Sequence, residues 1–245
     1  MVKNLIRKTF ISAGLALSIL VGGAASFVFS VEVQAKQIRY NSGVYNGQFT
    51  YGKNRKAIPH GQGSYVWNGG NKKRYSGGFS RGKFAGTGDL YYRNGTHCHG
   101  KFNAKLQINS YARCKFRNGN RYEGTMERGK RHNFGVFFYN NGAVYRGDWK
   151  WGKKHGRGEM KFANGNSYNG PWVNGKRHTR GEGVYVFKKN GSKYYRYIGQ
   201  FDDNRMHGKG EVFFFGSRKR LCVVMNRGKI VSKRKSGSRR SSCYR

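Results

Sequence analysis

Five histidines, His60, His132, His155, His178 and His207, recur at equivalent places along the chain, and His97-Cys98-His99 sets two more around a cysteine. Imidazole and thiolate are common zinc ligands, so metal binding is the first chemistry to weigh. If each recurring histidine sits in its own hairpin, neighbours stand two strands apart, roughly 9–10 Å, whereas a zinc–nitrogen bond is ~2.1 Å. Loop packing and capping is then the expected role. His97 and His99 share one strand face, but two imidazoles are too few and no third ligand is evident in the sequence. No metal and no cofactor is expected. The Gly-x-Gly runs lie inside strand patterns rather than between a strand and a helix, which is the wrong context for a phosphate-binding loop. Asp202-Asp203 reads as a turn, and no Ser/His/Asp or Cys/His set stands outside the repeated columns. No catalytic residue is assigned, and the chain reads as a non-enzyme.

Charge is the other chemical feature. Lysine and arginine number 49 against 10 carboxylates, a formal net charge of +39 over 245 residues. Most of these cations cannot be paired internally, which favours an anionic partner. Some are concentrated in stretches expected to be hairpin loops: Lys130-Arg131, Lys153-Lys154, Lys176-Arg177 and Arg205. Stacked hairpins would line these up as a basic ridge along one edge. More lie in the Ser/Gly-rich end, Lys233-Arg234-Lys235 and Arg239-Arg240, within a tail 229–245 expected to be disordered.

The elements that position these groups are given by an internal repeat. Tyr-Arg-Gly-Asp-Trp at 145–149 returns as Tyr-Asn-Gly-Pro-Trp at 168–172, and the Tyr-x-Gly anchor recurs at Tyr45, Tyr75, Tyr122, Tyr145, Tyr168 and Tyr197. Cys98 fills the one vacant slot, so the steps are 30, 23, 24, 23, 23 and 29. A fixed period of this length marks a repeat protein. In the cleanest copy Tyr145, Gly147 and Trp149 alternate with Arg146 and Asp148, and Gly156, Gly158, Met160 and Phe162 alternate with Arg157, Glu159 and Lys161. Both are period-2 patterns of strands with one apolar face. Asn164-Gly165 closes the unit, a dipeptide that recurs at Asn68, Asn94, Asn118, Asn141 and Asn190, and both of its residues are expected at positive φ. Glycines in register beside rings let a thin sheet stack aromatics without a second layer. The expected core is a line of rings: Tyr122, Tyr145, Trp149, Phe162, Tyr168, Trp172, Tyr197 and Phe201.

Tyr-x-Gly-x-Trp-x-x-Gly-Lys-Lys-His-Gly-x-Gly at 145–158 closely resembles the MORN (membrane occupation and recognition nexus) repeat, over about residues 45–215. The resemblance implies an all-β fold, an elongated, single-layer, twisted antiparallel sheet of about seven stacked 23-residue hairpins. It also raises lipid binding, with protein–protein contact and dimerisation as other uses of such repeats. The unit at 98–116 departs from the pattern, with Ser110 and Ala112 where the paired glycines belong. Asn204 replaces a turn glycine, which asparagine tolerates. Residues 216–228, with Leu221, Val223, Met225 and Gly228, read as a degenerate capping half-repeat.

Residues 1–35 resemble a secretory signal, with Lys3, Arg7 and Lys8 ahead of an apolar stretch and Val33-Gln34-Ala35 as a cleavage site. An uncleaved membrane anchor is the alternative, and 36–44 is left as a linker. Four cysteines in an exported chain suggest disulfides. Cys98 and Cys114 take facing positions on adjacent strands, so a cross-strand bridge is expected there, against two buried thiols as the alternative. The pairing of Cys222 and Cys243 is left open. The function expected is an exported binding or scaffold protein held to an anionic membrane surface or envelope polymer, or to a protein partner. Single-stranded nucleic-acid binding and homodimer or higher homo-assembly through the sheet ends are the alternatives.

Overall fold

The computed structural model describes residues 35–178, 182–190, 192–217, 219–235 and 243; the expected signal segment lies outside these up to residue 34. Among the described residues, eighteen strands form one antiparallel sheet. They are β1 (Ala35–Tyr40), β2 (Gly43–Tyr51), β3 (Ala57–Trp67), β4 (Lys72–Ser80), β5 (Lys83–Tyr92), β6 (His97–Phe102), β7 (Ile108–Lys115), β8 (Arg121–Glu127) and β9 (Lys130–Phe138). There follow β10 (Val144–Lys150), β11 (Lys153–Lys161), β12 (Ser167–Val173), β13 (Lys176–Arg177), β14 (Gly183–Lys189), β15 (Ser192–Asp202), β16 (Arg205–Phe214), β17 (Arg220–Asn226) and β18 (Lys229–Lys235). Each pairs with the next in sequence, except that β13 and β14 together form one return strand against β12. The fold is the expected one-layer stack of hairpins, longer at both ends than the repeat pattern alone marked.

Two end assignments are corrected. The stretch 36–44 is not a linker, because β1 pairs with β2 from Ala35↔Gln48 to Tyr40↔Gly43. Nor is 216–228 a half-repeat on its own, because 229–235, expected in a disordered tail, forms the strand that completes its hairpin. β17 pairs with β18 from Leu221↔Lys235 to Asn226↔Lys229, so Lys233, Arg234 and Lys235 belong to a strand. The basic composition there hid a strand whose backbone is satisfied by β17 although its side chains are all exposed. Arg239 and Arg240 lie outside the described residues.

The glycines explain how one layer can have a core. Tyr45, Tyr75, Tyr122, Tyr145, Tyr168 and Tyr197 all have 0% relative exposure. Gly147 pairs with Gly158, and a Cβ on Gly158 would lie 2.4 Å from the Tyr145 hydroxyl oxygen. The ring therefore lies flat over the paired glycines, in the space where two side chains would be. Its hydroxyl donates to the Asp148 carbonyl at 2.9 Å, as Tyr168 does to Pro171 at 2.9 Å and Tyr122 to Thr125 at 2.7 Å. Burial raises these phenols, Tyr45 and Tyr75 to about 12 and the others further above the ordinary range.

Tryptophans tie one repeat to the next. Trp149 lies edge-on to Tyr145 at 5.1 Å and to Tyr122 of the preceding hairpin at 5.8 Å, and its Nε1 donates to the Gly135 carbonyl at 3.1 Å. Trp172 repeats this on Tyr145 at 5.3 Å and the Gly158 carbonyl at 3.0 Å. Phe201 takes the same place beside Tyr168 at 5.0 Å. Phe162 is only half-buried, and it packs on Tyr185.

Asn190 takes positive φ, but four of the other Asn-Gly turns differ from expectation. Gly95, Gly119, Gly142 and Gly165 take positive φ, but the asparagines before them do not. Instead each asparagine Oδ1 accepts the N–H two residues on, for example Thr96 on Asn94 at 2.9 Å and Asn166 on Asn164 at 3.1 Å. The glycine N–H bonds back to the carbonyl three residues earlier, Gly165 to Phe162 at 2.9 Å. This is a type I turn followed by a left-handed bulge glycine, which asparagine favours through its side-chain acceptor. The turns with two consecutive positive φ values lie at the other edge: Arg81-Gly82, Arg128-Gly129, Trp151-Gly152, Asn174-Gly175, Asp203-Asn204 and Arg227-Gly228.

Candidate binding surfaces of the sheet

The basic pairs do not lie in loops. Each follows a two-residue turn and opens the return strand, so successive side chains point to opposite sides. Lys130, Lys153, Lys176 and Arg205 stand exposed at the rim, joined by Lys83 and Lys229 at the same position of their hairpins. Arg81, Arg128 and Arg227 in the turns add to this edge. Lys176 is paired with Asp203, which interrupts the row. Lys83 and Lys229 escaped the sequence reading because each lacks a basic neighbour after it. The signal that finds them is a Gly-Lys step after a two-residue turn.

The second member of each pair turns onto the ring face. The Arg131 guanidinium lies 4.3 Å from the Trp149 ring, and the Lys154 ammonium 4.2 Å from that of Trp172. Arg177 stands 5.1 Å from Tyr185 and 5.4 Å from Phe201. Such contacts are attractive because the ring face is electron-rich. Arg131 also donates to the Gly152 carbonyl at 2.8 Å, and Arg177 to that of Asn204. Burial, together with the neighbouring guanidinium groups of Arg177 and Arg131, lowers the Lys154 ammonium to about 8, and burial lowers Arg131 and Arg177 as well.

Some carboxylates share the rim, Glu127 opposite Lys130 and Asp202 opposite Arg205 with Asp203 beside it, and others lie on the reverse face. Asp89, Glu123 and Glu159 fall in a cross-strand row on the reverse face, running Asp89↔His99↔Arg113↔Glu123↔Val136↔Arg146↔Glu159. Asp89 is the group the sequence did not place beside the two histidines: its Oδ1 lies 2.7 Å from His97 Nε2 and 3.2 Å from His99 Nδ1. Burial raises the Asp89 carboxyl, and the hydrogen bonds and charges of the two imidazoles more than reverse this, leaving it lowered. Among the described residues no group of three or more His, Cys, Asp or Glu is arranged to hold a metal.

Two of the recurring histidines stitch turn to turn, while Nδ1 of His155 and of His207 is buried without a hydrogen-bond partner. His60 Nδ1 accepts the Arg81 N–H at 3.3 Å, and His132 Nδ1 the Trp151 N–H at 3.5 Å. Asn109 does the same for Arg128 in a hairpin that lacks the recurring histidine. His178 instead contacts Asp202 at 3.1 Å.

Cys98 opposes Cys114 directly across β6 and β7, and the two are joined by a disulfide. Cys222, on β17, is joined to Cys243, a pairing the sequence left open.

With this geometry in view, the comparisons with known proteins take their place. The MORN repeat model matches residues 55–72, 75–97, 122–144, 145–167, 168–192 and 197–212. The chain belongs to the MORN repeat family, a class of repeat-type binding and scaffold proteins. The model passes over 98–121, the hairpin in which the disulfide replaces the ring. No curated protein sequence matches the chain. Among solved structures, the SAS-4 (dCPAP) TCP domain of Drosophila melanogaster, in complex with a proline-rich motif of Ana2 (dSTIL), is similar at 16% identity and a TM-score of 0.32. That match covers 62% of this chain and 84% of that one.

Proposed function

We propose that the protein is an exported, non-enzymatic scaffold that holds an anionic membrane surface or envelope polymer through its basic rim. The observation that carries this reading is the row of exposed cations opening successive return strands, Lys83, Lys130, Lys153, Arg205 and Lys229, with Arg81, Arg128 and Arg227 in the turns between. Hairpins repeat at roughly 9–10 Å, so such a row meets an extended array of negative charge at several points together. Each cation near an anionic surface contributes about 1 kcal/mol, and salt weakens the sum. Two disulfides support an oxidising compartment.

Nucleic-acid binding by ring stacking finds less support, because the six anchor tyrosines are wholly buried. Head-to-tail assembly finds less as well. The two end strands carry like charge, Lys36 and Arg39 on β1 and Lys229, Lys233, Arg234 and Lys235 on β18, and edge lysines oppose strand pairing.

Co-sedimentation of the chain beyond residue 35 with anionic vesicles, neutral vesicles and single-stranded DNA tests the proposal. Binding to anionic vesicles alone that persists at ~150 mM salt, where the Debye length is ~8 Å, supports it. Equal binding to DNA that vanishes at that salt refutes it.

A further inference from the structure

The one break in the tyrosine column leaves a hollow. Cys98 stands where every other full repeat carries the anchor tyrosine, and the disulfide to Cys114 fills much less space than a ring. Over it opens a cavity of about 960 Å³ on the ring face. Phe102, Leu106, Ile108, Met126 and Phe137 lie around the disulfide floor, and Asn71, Asn94, Thr96, Asn118 and Asn120 add to the lining. This volume is at the upper end of the range for small-molecule sites, which are mostly apolar with a few convergent polar groups.

Two further features belong to this place. The loop joining β6 to β7 is five residues long, Asn103 to Gln107, where β10 and β11 turn on two. Asn103 Oδ1 shapes it by accepting the N–H groups of Lys105 and Gln107, each at 3.0 Å. That loop puts Leu106 into the wall of the hollow with φ at 58°, a left-handed conformation that a branched side chain adopts only at a cost. Charge is one-sided as well: Arg117, Lys130 and Arg131 line the hollow, and no carboxylate does.

We propose that this hollow binds a single-chain anionic amphiphile, its alkyl chain laid over the disulfide and its carboxylate or phosphate against Arg131 and Arg117, with Lys130 bordering the hollow from the rim. The mixed aliphatic and aromatic floor suits an alkyl chain, and the cations at one side suit a single oxyanion head. Arg131 is held in place by the Trp149 and Phe137 rings, at 4.3 and 4.9 Å, so its remaining N–H donors are ordered before a ligand arrives. The site is separate from most of the rim and stands or falls apart from the surface-binding reading; only Lys130 is common to both.

The test is calorimetric titration of the full chain at physiological salt with monomeric dodecanoate, dodecyl phosphate, dodecanol and dodecyltrimethylammonium. One equivalent of an anion should bind, dodecanol at least about tenfold more weakly, and the cation weakest. Whichever of carboxylate or phosphate binds tighter identifies the head group. Leu106→Gly removes a wall and relieves the left-handed strain, so it should weaken the anions about tenfold without lowering the melting temperature. The pair Arg117→Gln and Arg131→Gln should bring the anions to the level of dodecanol. Lys153→Glu, on the rim but outside the hollow, should leave the one-site isotherm in place. Equal binding of the cation, or several equivalent anions per chain indifferent to Leu106→Gly, would overturn the proposal.

Discussion

A Cβ placed on Gly158 would stand 2.4 Å from the hydroxyl oxygen of Tyr145, whose ring occupies the space over the Gly147–Gly158 pair. The glycine is there to make room for the ring: its φ lies outside the left-handed range, so alanine would meet no backbone objection. Gly158→Ala should lower stability by about 2–3 kcal/mol through overpacking, read as a shift in the urea midpoint. Because one ring mediates the effect, Gly158→Ala and Tyr145→Ala should be non-additive in a double-mutant cycle. Additive losses would show that the glycine serves some other contact. The chain contains its own comparison, since the hairpin without an anchor tyrosine has Ala112 opposite Gly100.

The Cys98–Cys114 bridge closes a loop with a sequence separation of 16. Loop-closure entropy for that length is worth about 3 kcal/mol in the chain-entropy model. Cys98→Ala with Cys114→Ala should therefore destabilise the protein by roughly that amount in a denaturant melt. A loss below 1 kcal/mol would mean that packing in the flanking hairpins alone holds this unit.

Lys154 gives a pH signature. Its ammonium titrates at about 8 in the fold and near the ordinary lysine value, 10.5, when unfolded. Between those limits the unfolded chain holds a proton that the folded chain has released, so this group makes stability rise with pH across that window. Below it both states are charged and the burial penalty is fully present. Lys154→Met should raise stability at pH 7 by at least about 1 kcal/mol, partly offset by the lost contact with Trp172, and should remove the rise. Melts at pH 7 and 9.5 measure both effects.

Charge reversal at the rim separates surface binding from fold. Replacing Lys83, Lys130 and Lys153 by glutamate should leave the melting temperature within a few degrees, since all three are exposed. Vesicle affinity should fall by about 1 kcal/mol or more for each change. Unchanged vesicle binding would move the anchoring function to another part of the chain.

Most of the fold was legible because the determinants are local. Tyr145, Gly147 and Gly158 recur at fixed spacing, and a hairpin repeat brings them together without any long-range choice. The basic pairs were legible as residues but not as surfaces. Lys153 and Lys154 are adjacent in the chain, yet one faces solvent and the other a tryptophan ring, because they open a strand rather than cross a loop. The ends were misread for a related reason: β18 buries none of its side chains, so no apolar alternation marked it.

The sequence by itself determined the architecture, the period, the ring column and the direct opposition of Cys98 and Cys114. Each of these follows from side-chain size and strand alternation within one or two hairpins. Only the tertiary structure decided where Asp89 stands relative to His97 and His99, which cations share a face with the rings, and that losing one tyrosine opens a hollow with Leu106 in its wall. Those relations arise between strands of different repeats, where the register of one hairpin on the next fixes which side chains meet.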